Sequence, residues 1–140
     1  MWFFRKKEVV EEAPKFVKSK VKKISNSFKF AGNGIFSAFK SELNMQVHFC
    51  MMLLVILCGI IFEISLLEWQ ICIVLFGVVI GAEIFNTAIE TVVDLVMPSI
   101  NEKAKLAKDL SAGAVLVIAT SAAVVGLTIF IPKAIELFMR

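Results

Sequence analysis

Three long apolar stretches dominate the chain, and polar or charged residues punctuate it between them. The first stretch runs from about Met45 to Phe62 and carries no formal charge. A helix of about 20 apolar residues crosses a bilayer, so this stretch is about long enough to span. Residues 63–68, opening and closing on Glu63 and Glu68, form a short acidic connection. The second stretch starts near Trp69, an interface aromatic, and continues to about Met97, where Pro98 blocks further helix. Ser99, with Glu102 three residues on, has the form of a capping box and predicts a third helix starting near Ser99, still in water. That helix is expected to enter the bilayer around Leu110 and to leave it near Ile131 and Pro132.

The segment before the first span has a different period. Over residues 27–44, Phe28, Ile35 and Phe39 share one side with Phe36 near them, while Lys29, Asn33, Ser37, Lys40 and Ser41 are polar. This spacing predicts an amphipathic helix in the headgroup plane. Gly32 and Gly34 weaken it locally, and a loop at residues 31–34 is the alternative. Residues 1–26 form a basic extension broken by Pro14, with short helices expected at residues 9–12 and 16–24. Trp2, Phe3 and Phe4 beside basic residues suit a membrane surface.

Composition reinforces the reading of an all-α integral membrane protein. Hydrophobic residues make up 59% of the 140 residues, and the mean hydropathy is +0.85. Typical globular domains hold roughly 45–50% apolar residues. Residues 1–44 carry a net charge of +6 and residues 45–140 a net of −3. A basic arm on an apolar body points to a membrane surface rather than to nucleic acid. By the positive-inside rule the N-terminus and the loop with Lys103, Lys105 and Lys108 face the cytoplasm, while Lys133 and Arg140 are a mild contrary signal. Cys50, Cys58 and Cys72 lie in apolar runs and read as reduced, buried hydrophobes. No cleavable signal peptide is expected, and the first span would itself serve for targeting. Gly77 and Gly81, with the small residues Ala112, Gly113, Ala119, Ala122, Ala123 and Gly126, predict close helix packing. Three helices enclose little interior, so a homo-oligomer is expected.

Candidate chemistry gathers at the end of the second span. Glu83, Asn86, Thr87, Glu90 and Asp94 fall at i, i+3, i+4, i+7 and i+11, one narrow helical stripe. A charged side chain at the centre of a span costs about 2.5–3.5 kcal/mol on insertion scales, so three carboxylates on one stripe need a reason. Asp94 and Glu90 have a bland alternative, solvation at the cytoplasmic interface; Glu83, two turns deeper, is the hardest to explain away. Lys108 and Asp109 precede the third span, where a lysine can hold phosphate as a point charge or simply anchor the helix. Glu42, at the end of the amphipathic helix, could join Glu90 in clamping a hard divalent cation. A P-loop and the protein-kinase loops are absent. His48 reads as interfacial polar packing, with a metal ligand or base as the alternative.

The run Glu83-x-x-Asn86-Thr87-Ala88-Ile89-Glu90-x-x-x-Asp94, followed by Ala107-Lys108-Asp109 and Ala114-Val115, resembles the prokaryotic diacylglycerol kinase family. The likeness covers residues 27–140, with Phe30-Ala31-x-x-Gly34 and Glu42-x-Asn44-x-x-x-His48 closest to the Gram-positive branch, several members of which prefer undecaprenol. The resemblance implies a homotrimeric bundle in the bacterial inner (cytoplasmic) membrane, with three spans per subunit, a surface helix, and sites shared between subunits facing the cytoplasm. It implies phosphorylation of a lipid alcohol, undecaprenol or diacylglycerol, at the expense of ATP with Mg²⁺. Glu83 would then be the general base, Asn86 would help position the reacting groups, and Asp94 completes the catalytic stripe. Glu42 and Glu90 would hold magnesium. Lys108 would contact phosphate, and Asp109 would hold Lys108 or the nucleotide. Phe30 would stack near adenine, and Lys23 would touch the nucleotide. Gln46 stands where the family usually has Arg, and Phe30 where it often has Tyr, so a charge and a hydroxyl are missing.

Two other classes compete. A small cation transporter would also place carboxylates in the membrane, but residues 71–80 are apolar and interrupt any polar route. A non-catalytic membrane subunit would account for the small residues and the basic arm, but not for Glu83.

Overall fold

The computed structural model describes residues 15–139, with side chains over 17–137 and at Met139. The segment with Trp2, Phe3 and Phe4, the expected helix at residues 9–12, and Arg140 lie outside these. Among the described residues the chain is all helical: α1 (Lys15–Ser41), α2 (Leu43–Ile61), α3 (Leu66–Val96) and α4 (Glu102–Phe138). Helices α2, α3 and α4 are each long and apolar enough to cross a membrane.

The chain divides into two compact units, Met1–Ser37 and Ala38–Arg140. In the first, α1 runs unbroken where the sequence suggested a short helix over 16–24, a separate helix from residue 27 and a loop at 31–34. Gly32 and Gly34 each cost about 1 kcal/mol against alanine in a helix, too little to break a helix of this length. Residues 17–37 are all exposed.

The second unit opens with the last turn of α1. This helix ends at Ser41, not at residue 44, and Glu42 adopts an extended backbone, φ −108° and ψ 119°, as the N-cap of α2. Two contacts brace the break. The Gln46 side-chain amide donates to the Phe39 carbonyl at 3.2 Å, and the Phe39 and Phe49 rings meet edge-on with centroids 5.4 Å apart.

At its other end α2 stops in a Schellman turn. Glu63, at φ 51°, occupies the left-handed position. The Ile64 amide reaches back to the Gly59 carbonyl at 3.1 Å, and the Glu63 amide to Ile60 at 3.3 Å. The absence of a side chain at Gly59 lets Trp69 close over the turn, since a Cβ there would lie 2.7 Å from the indole. A capping box then starts α3 three residues before the expected Trp69. The Ser65 hydroxyl accepts from the Glu68 amide, and the Glu68 carboxylate accepts from the Ser65 amide at 2.6 Å. The capping box expected at Ser99 does not form. Asn101 caps α4 instead, its side chain accepting from the amides of Lys103 and Ala104. Pro98 had already stopped the chain from being helical, so the nearest Asx residue to the new helix takes the role. Helix α4 runs on through Pro132.

Helices α3 and α4 form the most extensive pair, and α2 packs chiefly on α3. Around the α2–α3 turn a small core joins Ile64, Cys72 and Ile129 to Val55, Trp69, Phe76 and Phe130. Elsewhere large apolar side chains point outward, among them Leu53, Leu57, Ile73, Val74, Leu116 and Val117. A surface of this kind is stable in hydrocarbon, where backbone groups must be satisfied inside each helix. Added Cβ atoms at Gly77, Gly81, Gly113 and Gly126 would meet nothing within 4 Å, so these small residues are open within one chain.

A candidate active site on helix α3

The polar stripe of α3 emerges with graded burial. Glu83 is 2% exposed and Asn86 7%. Glu90 is half-buried, and the Asp94 side chain is 66% exposed. From Glu83 to Glu90 is two helical turns, about 10 Å along the axis. The stripe therefore leads from a closed interior to an open end.

Helix α4 supplies the opposing groups. The Ser111 hydroxyl, itself buried, donates to Asn86 Oδ1 at 2.6 Å. The Asn86 amide nitrogen donates in turn to Glu90 Oε1 at 3.0 Å. Asn86 thus has both ends committed, and the carboxamide orientation is fixed. One turn outward, Lys108 Nζ donates to both oxygens of Asp94 at 3.0 Å each. The carboxylates of Glu42 and Glu90 also lie within electrostatic reach of that ammonium. The open end of the stripe is therefore the Lys108–Asp94 ion pair, with Glu90 and Glu42 near enough to act on its charge. Asp109, expected to hold Lys108 or a nucleotide, is exposed and has no side-chain partner among the described residues. Lys108 is held by Asp94 instead.

Glu42 owes its position to the extended residue between α1 and α2. Its side chain makes no capping bond to α2, and its Oε1 accepts from the Ser41 hydroxyl at 3.2 Å. Lys23 and Phe30 belong to the first unit, where both are exposed on α1. The Lys23 carbonyl accepts from Ser27 at 3.0 Å.

One residue of this site, Ser111, was not singled out by pattern. Ser111 follows Lys108 by one turn, so a search for hydroxyls on the Lys108 face would have found it. His48 departs from simple interfacial packing: its Nε2 lies 3.2 Å from Glu83 Oε1, and its side chain is 21% exposed. Beyond His48 an apolar cavity of about 530 Å³ opens between α2, α3 and α4. Its walls include Met51, Val55, Leu75, Val79, Ala122 and Phe130. The stretch of α2 from His48 to Cys58 is about 15 Å long, which gives the length of this groove.

Among the described residues no group of three or more His, Cys, Asp or Glu side chains is arranged to hold a metal by itself. Glu42 and Glu90 nevertheless offer hard oxygen donors. Glu90 Oε2 is not used by Asn86, which bonds Oε1, and the Glu42 carboxylate is not spent on a cap. Two carboxylates suit magnesium, which keeps waters and takes its remaining ligands from phosphate.

Comparison with known proteins bears on this arrangement. A family model described as prokaryotic diacylglycerol kinase matches residues 29–130. An undecaprenol kinase of Bacillus subtilis (strain 168) is 40% identical over 116 residues, 83% of this chain and 94% of that protein. A diacylglycerol kinase of Synechocystis sp. is 33% identical over 114 residues, 81% of this chain and 65% of that protein.

Proposed function

Since the chain belongs to the prokaryotic diacylglycerol kinase family, we propose that it is a membrane lipid kinase that transfers the γ-phosphoryl group of ATP to a lipid alcohol, undecaprenol or diacylglycerol. One observation carries the reading: a buried carboxylate, Glu83, lies 3.2 Å from His48, which lines the end of an apolar groove, and starts the polar stripe that opens at the end of α3. A tail in the groove leaves a head group beside Glu83. The groove walls from Met51 to Phe130 are apolar, which supports a lipid and gives no continuous route for an ion.

Glu83 acts as general base. A base must come within hydrogen-bond reach of the proton it removes, and the groove presents the hydroxyl to this carboxylate. The lipid O–H bond breaks, its proton passes to Glu83, and the lipid oxygen forms a bond to the γ-phosphorus as the bond to ADP breaks. Little else is covalent, so the protein contributes position and charge. Asn86, fixed by Ser111 and Glu90, orients the groups between base and phosphates. Lys108 exchanges its Asp94 partner for phosphate oxygens, with Asp94 keeping the side chain in place until then. Glu42 and Glu90 hold magnesium, which supplies positive charge to the phosphate oxygens. Lys23 and Phe30 contact the nucleotide, and Asp109 meets it at the membrane face. The active unit is a homotrimer in the bacterial cytoplasmic membrane with its sites shared between subunits, facing the cytoplasm. Residues 27–44 include the amphipathic surface segment. The outward apolar faces and open glycines of the single chain support this assembly.

The test is turnover by purified protein in lipid nanodiscs with Mg-ATP, offering undecaprenol and diacylglycerol in parallel and using Glu83→Gln as control. The reading expects phosphorylation of at least one lipid and its loss in the variant. Activity toward neither lipid would overturn it.

A further inference from the structure

His48 has no part in the roles above, yet it is the side chain set against the buried base. We infer that His48 is a positioning residue for phosphoryl transfer: it holds Glu83 through Oε1 and leaves Oε2 to take the lipid proton. The inference rests on Glu83 being the base, as proposed above.

The argument begins with the cost of the site. A buried carboxylate needs partners, because removing it from water without them costs several kcal/mol. The neighbours that might serve Glu83 are engaged elsewhere. The Thr87 hydroxyl donates to the backbone carbonyl of Glu83, not to its carboxylate. Asn86 is shared between Glu90 and Ser111. His48 comes from a different helix, α2, and its Nε2 stands 3.2 Å from Oε1. It also forms the inner end of the apolar groove, where its ring is the one nitrogen-bearing side chain in the lining. A lipid hydroxyl delivered by the groove therefore passes the imidazole before it meets Glu83. Catalytic hydrogen bonds are commonly long before substrate binds and tighten on binding. With Nε2–H on Oε1, rotation of the carboxylate is restricted and the second oxygen is fixed toward the incoming hydroxyl. The imidazole keeps its own proton throughout; the lipid proton goes to Oε2.

The experiment uses the full chain in nanodiscs and compares His48→Ala, His48→Gln, Glu83→Gln and the His48→Ala/Glu83→Gln double variant. Loss of orientation at a reacting group costs up to about a hundredfold, so His48→Ala is expected to lower kcat for the lipid by about tenfold to a hundredfold with KM for Mg-ATP unchanged. His48→Gln, which retains an N–H donor, is expected to recover most of that loss. The double variant should be no slower than Glu83→Gln alone, because His48 acts through Glu83. A His48→Ala enzyme with unchanged kcat would overturn the inference, and so would a His48 loss that adds in full to that of Glu83→Gln. A second readout is independent of turnover. The chain contains one histidine, so the imidazole ¹⁵N spectrum reports His48 alone. Replacing Glu83 by Gln is expected to shift the Nε2 signal, and an unchanged spectrum would overturn the contact. Wild-type protein inert toward both lipids, with the shift still present, would instead overturn the kinase reading and leave the contact standing.

Discussion

Replacing Ser111 by alanine is the most direct trial of the network that fixes Asn86. The perturbation removes one hydroxyl from a site where Ser111 and Asn86 are 9% and 7% exposed. The lost bond is short, 2.6 Å, and joins helices α3 and α4. Stripping a buried acceptor of its donor costs about 1–3 kcal/mol. Hydrogen bonds between membrane helices average about 0.6 kcal/mol in double-mutant cycles, which weights the cost toward the lower part of that range. Alanine returns up to about 0.5 kcal/mol as a better helix former. The net expectation is about 0.5–2 kcal/mol. Flipping the Asn86 carboxamide offers no escape, because it would turn an oxygen toward Glu90 Oε1, which now accepts from the amide at 3.0 Å. If the whole cost is felt in the transition state, kcat/KM falls about 2- to 30-fold. The assay pairs steady-state turnover in nanodiscs with thermal melting. Ser121→Ala is the control, since Ser121 donates only to its own helix, at Val117, from an exposed position. Ser111→Ala that matched Ser121→Ala in both melting and turnover would refute the claim that the hydroxyl orients Asn86.

Three further outcomes follow from the geometry. Glu63→Gly should raise the melting temperature, because a non-glycine residue at φ 51° carries a cost of about 1 kcal/mol that glycine avoids; an unchanged or lower value would count against strain at this turn. Gly59→Ala should lower it, at a stability cost of about 1–3 kcal/mol if the helices cannot shift, since the new Cβ meets the Trp69 ring at 2.7 Å; Trp69 fluorescence and melting together report the outcome. Lys108→Met should leave the melting temperature close to that of the wild type, as its Asp94 partner is largely exposed, while raising KM for Mg-ATP. A large stability loss with KM unchanged would make Lys108 a structural residue.

Much of this architecture was legible from period and hydropathy alone. The three spans follow from uninterrupted apolar runs, and the α3 stripe follows from residue spacing, because a 3.6-residue repeat fixes which side chains share a face. Helix ends were less legible. A capping box was expected at Ser99 and formed at Ser65, since both sites have Ser with Glu three residues on. Packing of Ile64 and Trp69 against Gly59 favours the second, whereas Asn101 stands closer to the start of α4. Partnerships between helices were least legible. Lys108 was placed beside Asp109 by adjacency, but consecutive residues on a helix diverge by about 100°, and the ammonium found Asp94 on α3 instead. His48 with Glu83 and Ser111 with Asn86 are separated by 35 and 25 positions, and no local pattern pairs them.

The four open glycines also bear on what can come near the spans. At Gly77, Gly81, Gly113 and Gly126 an added Cβ would meet no heavy atom of the described residues within 4 Å. A methylene chain or another helix can therefore settle against the Cα hydrogens and peptide edges themselves, nearer to the helix axis than a Cβ would permit. Dispersion falls off steeply with separation, so these bare strips are where a neighbour gains most from each contact. They give α3 and α4 a relief of shallow channels, the one at Gly126 within the apolar groove itself, shaped by backbone rather than by rotamers, and such channels need lose no side-chain entropy to receive what fits them.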